Sequence, residues 1–224
     1  MREIVLDTET TGMDPATGDR LVEIGCVELE NHLPTGRHYH VYINPERDVP
    51  AAAVAVHGLT NAFLKDKPTF GEIVGDFTDF IGDATLVIHN AEFDVKFLNA
   101  ELKMFGFSAL DWKRVLDTVA MARKKFPGSP ANLDALCRRF NIDNSNRTLH
   151  GALLDAQLLA EVYLELLGGR QRGLDMGGTP TPEKGDLMVQ KKTAERVYRA
   201  PRIFKPTEQE IAAHAAMMKE IKKS

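Results

Sequence analysis

The sequence predicts an α/β fold, a mixed β-sheet flanked by helices, followed by a flexible C-terminal tail that ends in a short helix. Three observations carry that expectation. Residues 1–43 hold three β-type runs separated by turn-rich stretches: Glu3 to Leu6, Leu21 to Leu29 and His38 to Ile43. From residue 70 onward apolar residues recur mostly at helical spacing, interrupted by one more apolar run. At Gly168-Gly169 the patterning stops and the charge changes sign: residues 170–224 carry 12 Lys/Arg against 7 Asp/Glu, net +5, which leaves −9 for residues 1–169 within an overall −4.

Taken in order, Ile4-Val5-Leu6 reads as a buried strand that runs into Asp7-Thr8-Glu9 and the glycine-bearing loop Thr10-Thr11-Gly12. The turn-rich separators make the first three runs sequential antiparallel strands. Beyond Val54-Ala55-Val56-His57-Gly58, residues 70–82 follow a helical pattern, and Ala84 to Ile88 form a further apolar strand, expected to be central. Asn90 is expected to cap a helix over Ala91 to Phe105, and Leu116 to Lys125, Leu133 to Phe140 and Leu153 to Leu167 supply three more. Strands followed mostly by helices give a mixed sheet with helices packed on it. No internal repeat is evident.

Composition narrows the function. A chain of 224 residues, 43% of them hydrophobic, fits one domain of about 170 residues with an appendage better than two full domains. No apolar run approaches the roughly 18 residues of a membrane span, and Met1-Arg2-Glu3 leads into a strand without a signal-peptide pattern. The expectation is a cytoplasmic protein with no membrane partner. Cys26 and Cys137 each lie in an apolar stretch outside any C-x-x-C pair, so both read as reduced core residues and not as zinc ligands. An acidic front domain lacks the broad basic surface that holds long nucleic acid, so such a substrate would be gripped locally, by a few nucleotides and bound metal. That favours action on an end.

The acids supply the chemistry. Residues two apart on a strand face one side, so Asp7 and Glu9 converge. Like charges in an apolar setting repel and lose hydration unless protons or a cation compensate, although a solvated strand end would also carry such a pair. Asp94 shares a helical stripe with Phe97, Leu98 and Leu102, and Asp155 shares one with Leu158, Leu159, Val162 and Leu166. Capping or ion pairing at a helix start would also place acids there. Four carboxylates aimed at one sheet are destabilising alone, whereas two divalent ions turn their charge into a binding asset. His150 precedes Asp155 by five residues, about 140° around a helix, and is therefore expected on the incoming loop. Histidines ionise near neutral pH in general, so one at that entry suits a general base acting on water, with a solvated loop residue as the plain alternative. His32, His38, His40 and His214 have no acidic or glycine-rich context and are expected at the surface.

Asp7-x-Glu9, His89-Asn90-Ala91-Glu92-Phe93-Asp94 and His150-Gly151-Ala152-Leu153-Leu154-Asp155 together resemble the three motifs of the DEDD exonuclease superfamily, in its histidine branch. Val56-His57-Gly58-Leu59-Thr60, Ala122 to Gly128, Leu133 to Cys137 and Thr148 to Gln157 look more closely like the epsilon, or proofreading, subunits of bacterial DNA polymerase III. The resemblance covers about residues 3–169 and implies an RNase H-like fold. It implies a 3′–5′ exonuclease that uses two divalent ions, Mg²⁺ or Mn²⁺, to release mispaired 3′-terminal nucleotides as 5′-monophosphates. Asp7 would bridge both ions, Glu9 and Asp155 would complete the tighter site, Asp94 would act directly or through water, and His150 would deprotonate the attacking water. His57 matches a histidine placed near the 3′ terminus, and Gly12 and Met13 occupy the loop beside the terminal base. Asn90 and Phe93 are explained by an N-cap and a core aromatic.

The same resemblance divides the chain into an exonuclease domain (1–169), a flexible linker (170–205) and a polymerase-docking helix (206–224). Gln171-Arg172-Gly173-Leu174-Asp175-Met176 resembles a clamp-binding peptide with Gln171 and Leu174 as anchors, and Met176 stands where an aromatic is usual; plain linker is the alternative. Residues 177–186 are rich in Gly, Pro and Thr. Glu208 to Lys222 reads as a helix with Ile211, Ala215 and Met218 near one face, marginal alone and suited to docking. Implied partners are a DNA 3′ end, the polymerase catalytic subunit through the tail and the sliding clamp through 171–176, with a small accessory subunit left open. Two rivals stand beside this reading: an exoribonuclease of the same superfamily, and a non-catalytic tether between clamp and polymerase.

Overall fold

The computed structural model describes residues 1–169 and 207–221. The chain divides into two compact units, Met1–Asp175 and Met176–Ser224. The first is built on a five-stranded sheet of order β3-β2-β1-β4-β5. β1 (Arg2–Thr10) pairs antiparallel with β2 (Leu21–Glu30), and β2 pairs antiparallel with β3 (Leu33–Tyr42). On its other side β1 pairs parallel with β4 (Thr85–Ile88), which pairs parallel with β5 (Val115–Asp117). The mixed sheet is as expected, and the middle strand is β1, with β4 one place off centre.

Alternation along β1 sends its side chains to two separate cores. Ile4 and Leu6 pack with Ile24 and Cys26 of β2 beneath α3 (Phe70–Ile81) and α4 (Ala91–Met104), where Phe77 and Phe97 are fully buried. Val5 packs with Val27, Leu29 and Val87 on the opposite face, beneath α5 (Thr118–Lys125), α6 (Leu133–Phe140) and α7 (Ala152–Leu166). With helices on both faces, Ile4-Val5-Leu6 is buried throughout, which is why it reads as a continuous apolar run. α1 (Ala51–His57) and α2 (Asn61–Leu64) close one end around Val22, Val49 and Leu64.

Three local expectations are corrected. Val115–Asp117 is a strand, so the helix expected from Leu116 begins only at Thr118, where the Asp117 side chain accepts from Val119 N–H. Asn90 stands at the N-cap position of α4 but adopts a left-handed backbone (φ 64°) and makes no capping hydrogen bond; its N–H is held by Asp117 at 3.1 Å. His32 is only half-exposed, its Nδ1 2.8 Å from the buried Glu3, whereas His40 is exposed as expected although its Nε2 lies 2.7 Å from the buried Glu23. His38 and His214 are exposed, and Cys26 and Cys137 are free thiols in the two cores, as expected.

Of the second unit, α8 (Glu208–Ile221) is described. Thr207 and Glu210 cap it reciprocally, Thr207 N–H donating to Glu210 Oε2 at 2.8 Å and Glu210 N–H to Thr207 Oγ1 at 3.3 Å. The linker and the 171–176 peptide lie outside the described residues. None of the described helices is long and apolar enough to cross a membrane.

Candidate active site

A cleft of about 330 Å³ opens at the C-terminal end of β1, where the strand order changes from parallel to antiparallel neighbours. Asp7, Glu9, Asp94, His150 and Asp155 all line it. Asp7 and Glu9 share the face of Val5, and α7 brings Asp155 to that face. The approach is close because of Gly25, the cross-strand partner of Asp7: a Cβ there would stand 2.3 Å from the backbone of Ala152 and Leu153, so only glycine lets the start of α7 rest on the sheet. Tyr163, far along α7, donates to Glu3 at 2.7 Å, so the helix runs back along β1 from its end to its beginning. Asp94 arrives from α4 on the other face. Thr8, which points to that side, donates to Asp94 Oδ1 at 2.7 Å and holds it at the strand end.

Three of these acids are kept from ionising normally. Burial, then the charges of Asp94, Glu9 and Asp155, push Asp7 well above the usual carboxylate range. Glu9 is pushed up to about 8, by burial first and then by Glu23, its cross-strand partner, ahead of Asp155 and Asp94. Burial takes Asp94 up to about 7 against the opposing hydrogen bond from Thr8. Burial first, and for Asp7 and Glu9 mutual repulsion after it, favour the protonated forms of these three acids, a cost that a bound cation would offset.

His150 sits just before α7 on the incoming loop, as its spacing predicts, and its N–H donates to the Val56 carbonyl at 3.1 Å, tying the loop to α1. A second pocket of about 500 Å³ adjoins the cleft and is lined by Gly12, Met13 and His57. Glu9 and Phe93 border both spaces. Met13 is 78% exposed, and Gly12 lies against Asp19, whose carboxylate would meet a Cβ at 2.3 Å. That carboxylate also accepts from Thr11 Oγ1 and Asp14 N–H, fixing the loop's shape. His57 is buried and its pKa is lowered, chiefly by desolvation, so it is neutral at neutral pH. Its Nδ1 accepts from Leu59 N–H at 3.0 Å, which puts the ring proton on Nε2, near the Thr10 carbonyl but without a well-formed hydrogen bond. Gln171, Leu174 and Met176 lie outside the described residues.

Sequence reasoning passed over three lining residues. Phe93 is half-buried at the junction of the two pockets and not simply part of the core. His89 Nδ1 lies 2.8 Å from Thr118 Oγ1, which itself donates to the Ile88 carbonyl at 3.2 Å, and its buried Nε2 makes no well-formed hydrogen bond. Arg147 donates to both oxygens of Asp155, at 2.5 and 2.7 Å. It sits in the polar run Asp143 to Arg147, which reads as solvated loop; the available signal was the need of four clustered acids for a cation.

A mixed sheet with two acids on its middle strand, answered by acids from helices on both faces, suits the carboxylate-rich cleft of a nuclease. Residues 4–163 match the exonuclease family profile. DNA polymerase III subunit epsilon of Rickettsia felis is 50% identical over 229 residues, covering all of this chain and 98% of the relative, and that of Escherichia coli K12 is 45% identical over 232 residues, covering 99% and 94%. The chain belongs to the exonuclease family and, within it, to the epsilon subunits of DNA polymerase III, the 3′–5′ exonuclease subunits of that enzyme. Among solved structures, the nuclease domain of 3′hExo, a DEDDh family member bound to rAMP, is similar in fold, with a TM-score of 0.64 at 18% identity over 74% of this chain and 91% of that one.

Family membership implies divalent metal ions. The residues fit them: the carboxylates are hard oxygen donors, burial and then neighbouring negative charge push Glu9 up to about 8, and Glu9, His150 and Asp155 bring ligand atoms within 4.8 Å of one another.

Proposed function

We propose that the chain proofreads DNA at the replication fork in the cytoplasm, hydrolysing the terminal phosphodiester of a mispaired 3′ end with two ions of Mg²⁺ or Mn²⁺. The observation that carries this is the meeting of Asp7, Glu9, Asp94 and Asp155 with His150 in one cleft beside an apolar pocket. Bound divalent ions supply a lowered pKa for water and countercharge for the phosphate and the leaving 3′ oxygen. Asp7, lying within the influence of the other three acids, would be shared by both ions, with Glu9 and Asp155 holding one and Asp94 serving the other. His150, half-exposed on its loop, takes the proton of the attacking water. The terminal nucleotide enters the pocket of Gly12, Met13 and Phe93, and the Nε2–H of His57 is available to its sugar-phosphate.

Preference for mispaired ends follows from the size of this site. A paired terminus must unpair and unstack before it enters, at a cost of a few kcal/mol, so frayed ends are cut first without any residue that reads the mismatch. In the tail, α8 exposes Ile211, Met217 and Met218, the apolar surface with which it docks on the polymerase, and 171–176 engages the sliding clamp. Nothing in the described residues assigns a place to a small accessory subunit.

Incubating the full chain with Mg²⁺ or Mn²⁺ and a 3′-mispaired primer should release nucleoside 5′-monophosphate, abolished by chelator and by Asp7→Ala. Faster release from an RNA primer would favour an exoribonuclease, and no metal-dependent release would leave a tether.

A further inference from the structure

The cleft contains a cation that the proposed reaction leaves without a role. Arg147 is the one Lys or Arg among the described residues that line it, and its side chain is only 9% exposed. Its Nε and Nη2 donate to Asp155 Oδ1 and Oδ2 at 2.5 and 2.7 Å, the forked geometry in which guanidinium and carboxylate bind most tightly. Nη2 also lies 3.0 Å from His150 Nδ1. Nε2 of the same ring lies 3.4 Å from Nη2; a guanidinium has no acceptor, so the contact uses the lone pair of whichever ring nitrogen is unprotonated in the neutral imidazole. Both oxygens of one metal-ligating acid and the basic lone pair of the base are therefore taken by the same side chain. The third contact points elsewhere: Nη1 donates at 3.0 Å to Asp134, a half-exposed acid at the start of α6, which Asn144 also holds at 3.0 Å.

A guanidinium and a divalent cation want the same atoms here, since the group able to gather a metal is Glu9, His150 and Asp155. We infer that Arg147 is an internal stand-in cation, seated on Asp155 and His150 when metal is absent and displaced toward Asp134 when metal enters. One exchange then frees the carboxylate to bind metal and the imidazole to accept a proton. The consequence for folding is that four clustered acids are partly compensated before any metal arrives. Arg147 lowers the proton affinity of both Asp7 and Glu9, which is the same compensation seen from the acids.

This inference rests on the metal-dependent reading above, and its signature differs from that of a residue that merely positions Asp155. Removing a positioning residue weakens metal binding; removing a competitor strengthens it. The test is a Mn²⁺ titration of the full chain by calorimetry and electron paramagnetic resonance, without DNA, for the wild type, Arg147→Gln and Arg147→Lys, with thermal melts in chelator. Arg147→Gln should bind its first Mn²⁺ about tenfold more tightly or better, the cost of displacing a charge-assisted fork. It should also melt lower than the wild type in chelator and recover once Mn²⁺ is added. Arg147→Lys, which keeps charge but not the fork, should fall between the two. Unchanged or weaker Mn²⁺ binding in an Arg147→Gln protein with native circular dichroism overturns the inference and leaves the metal site standing. A wild type that binds no Mn²⁺ overturns both.

Discussion

Thr8 Oγ1 donates to Asp94 Oδ1 across 2.7 Å, and through this bond the acid on α4 is fixed to the strand that carries Asp7 and Glu9. Thr8 faces the core opposite to its two neighbours, so the bond joins the two faces of the sheet at the point where the cleft opens. It also opposes the burial that raises Asp94. Thr8→Val, equal in shape but without the donor, should therefore lose about 1–3 kcal/mol, the cost of leaving a buried polar group without its partner, and should need more Mn²⁺ for half-maximal activity. Thr8→Ser should keep most of both. Identical Mn²⁺ dependence in the Val and wild-type proteins would show that Thr8 does not place Asp94.

The raised acids make metal-free stability depend on pH in a direction opposite to that of ordinary ion-paired carboxylates. In the unfolded chain Asp and Glu ionise near about 4, whereas folded Glu9 is raised to about 8 and Asp94 to about 7. Between those values the native state binds protons that the unfolded state has released, so this contribution to stability is fully present below the unfolded pKa and is lost as pH rises through the folded one. In chelator the melting temperature should fall steadily from pH 5 to pH 9, and Mn²⁺ should flatten the curve. Asp7→Asn, which removes one repelling charge, should make the chelator curve shallower. A melting temperature independent of pH in chelator would rule out the compensation of these acids by protons.

Much of this architecture was legible because its signals are local. Ile4-Val5-Leu6 followed by acids, the stripes around Asp94 and Asp155, and the five-residue offset of His150 each need only a short window of sequence. What escaped depends on pairing at long range or on length. Val115–Asp117 has three residues, too few to show a period, and it joins directly to α5. His32 meets Glu3 from the β2–β3 turn and His40 meets Glu23 from the neighbouring strand, relationships set by tertiary pairing and invisible in flanking sequence. Arg147 meets Asp155 through the fold-back of the loop that enters α7, and no periodicity marks a loop cation.

The tail should be separable from the chemistry. α8 is capped by its own Thr207 and Glu210, exposes its described side chains, and belongs to a unit distinct from the one that carries the acids. Removing residues 206–224 should leave the rate of monophosphate release unchanged while abolishing association with the polymerase catalytic subunit in gel filtration or calorimetry. Retained binding by the truncated chain would remove α8 from the interface.

Gly25 offers the most direct test of how the site is assembled. It lies opposite Asp7 on β2, and a methyl group there would press on the carbonyl carbon of Ala152 and the nitrogen of Leu153, each 2.3 Å away. Backbone cannot swing aside as a long side chain can, so α7 must lift or the strand must bend. Asp155 lies three residues beyond Ala152 on the same helix and would move with it, away from Asp7. Gly25→Ala should thus cost at least about 1–3 kcal/mol, as overpacking does in well-filled cores, and should weaken Mn²⁺ binding as well as activity. Gly75→Ala is the control: it sits on the exposed side of α3 with open space around its Cα, and alanine there should stabilise the helix by about 0.5–1 kcal/mol. Urea midpoints and Mn²⁺ titrations of the two variants separate the effects. If Gly25→Ala lost stability but bound Mn²⁺ as the wild type does, the close seating of α7 would be a packing feature that the site does not need.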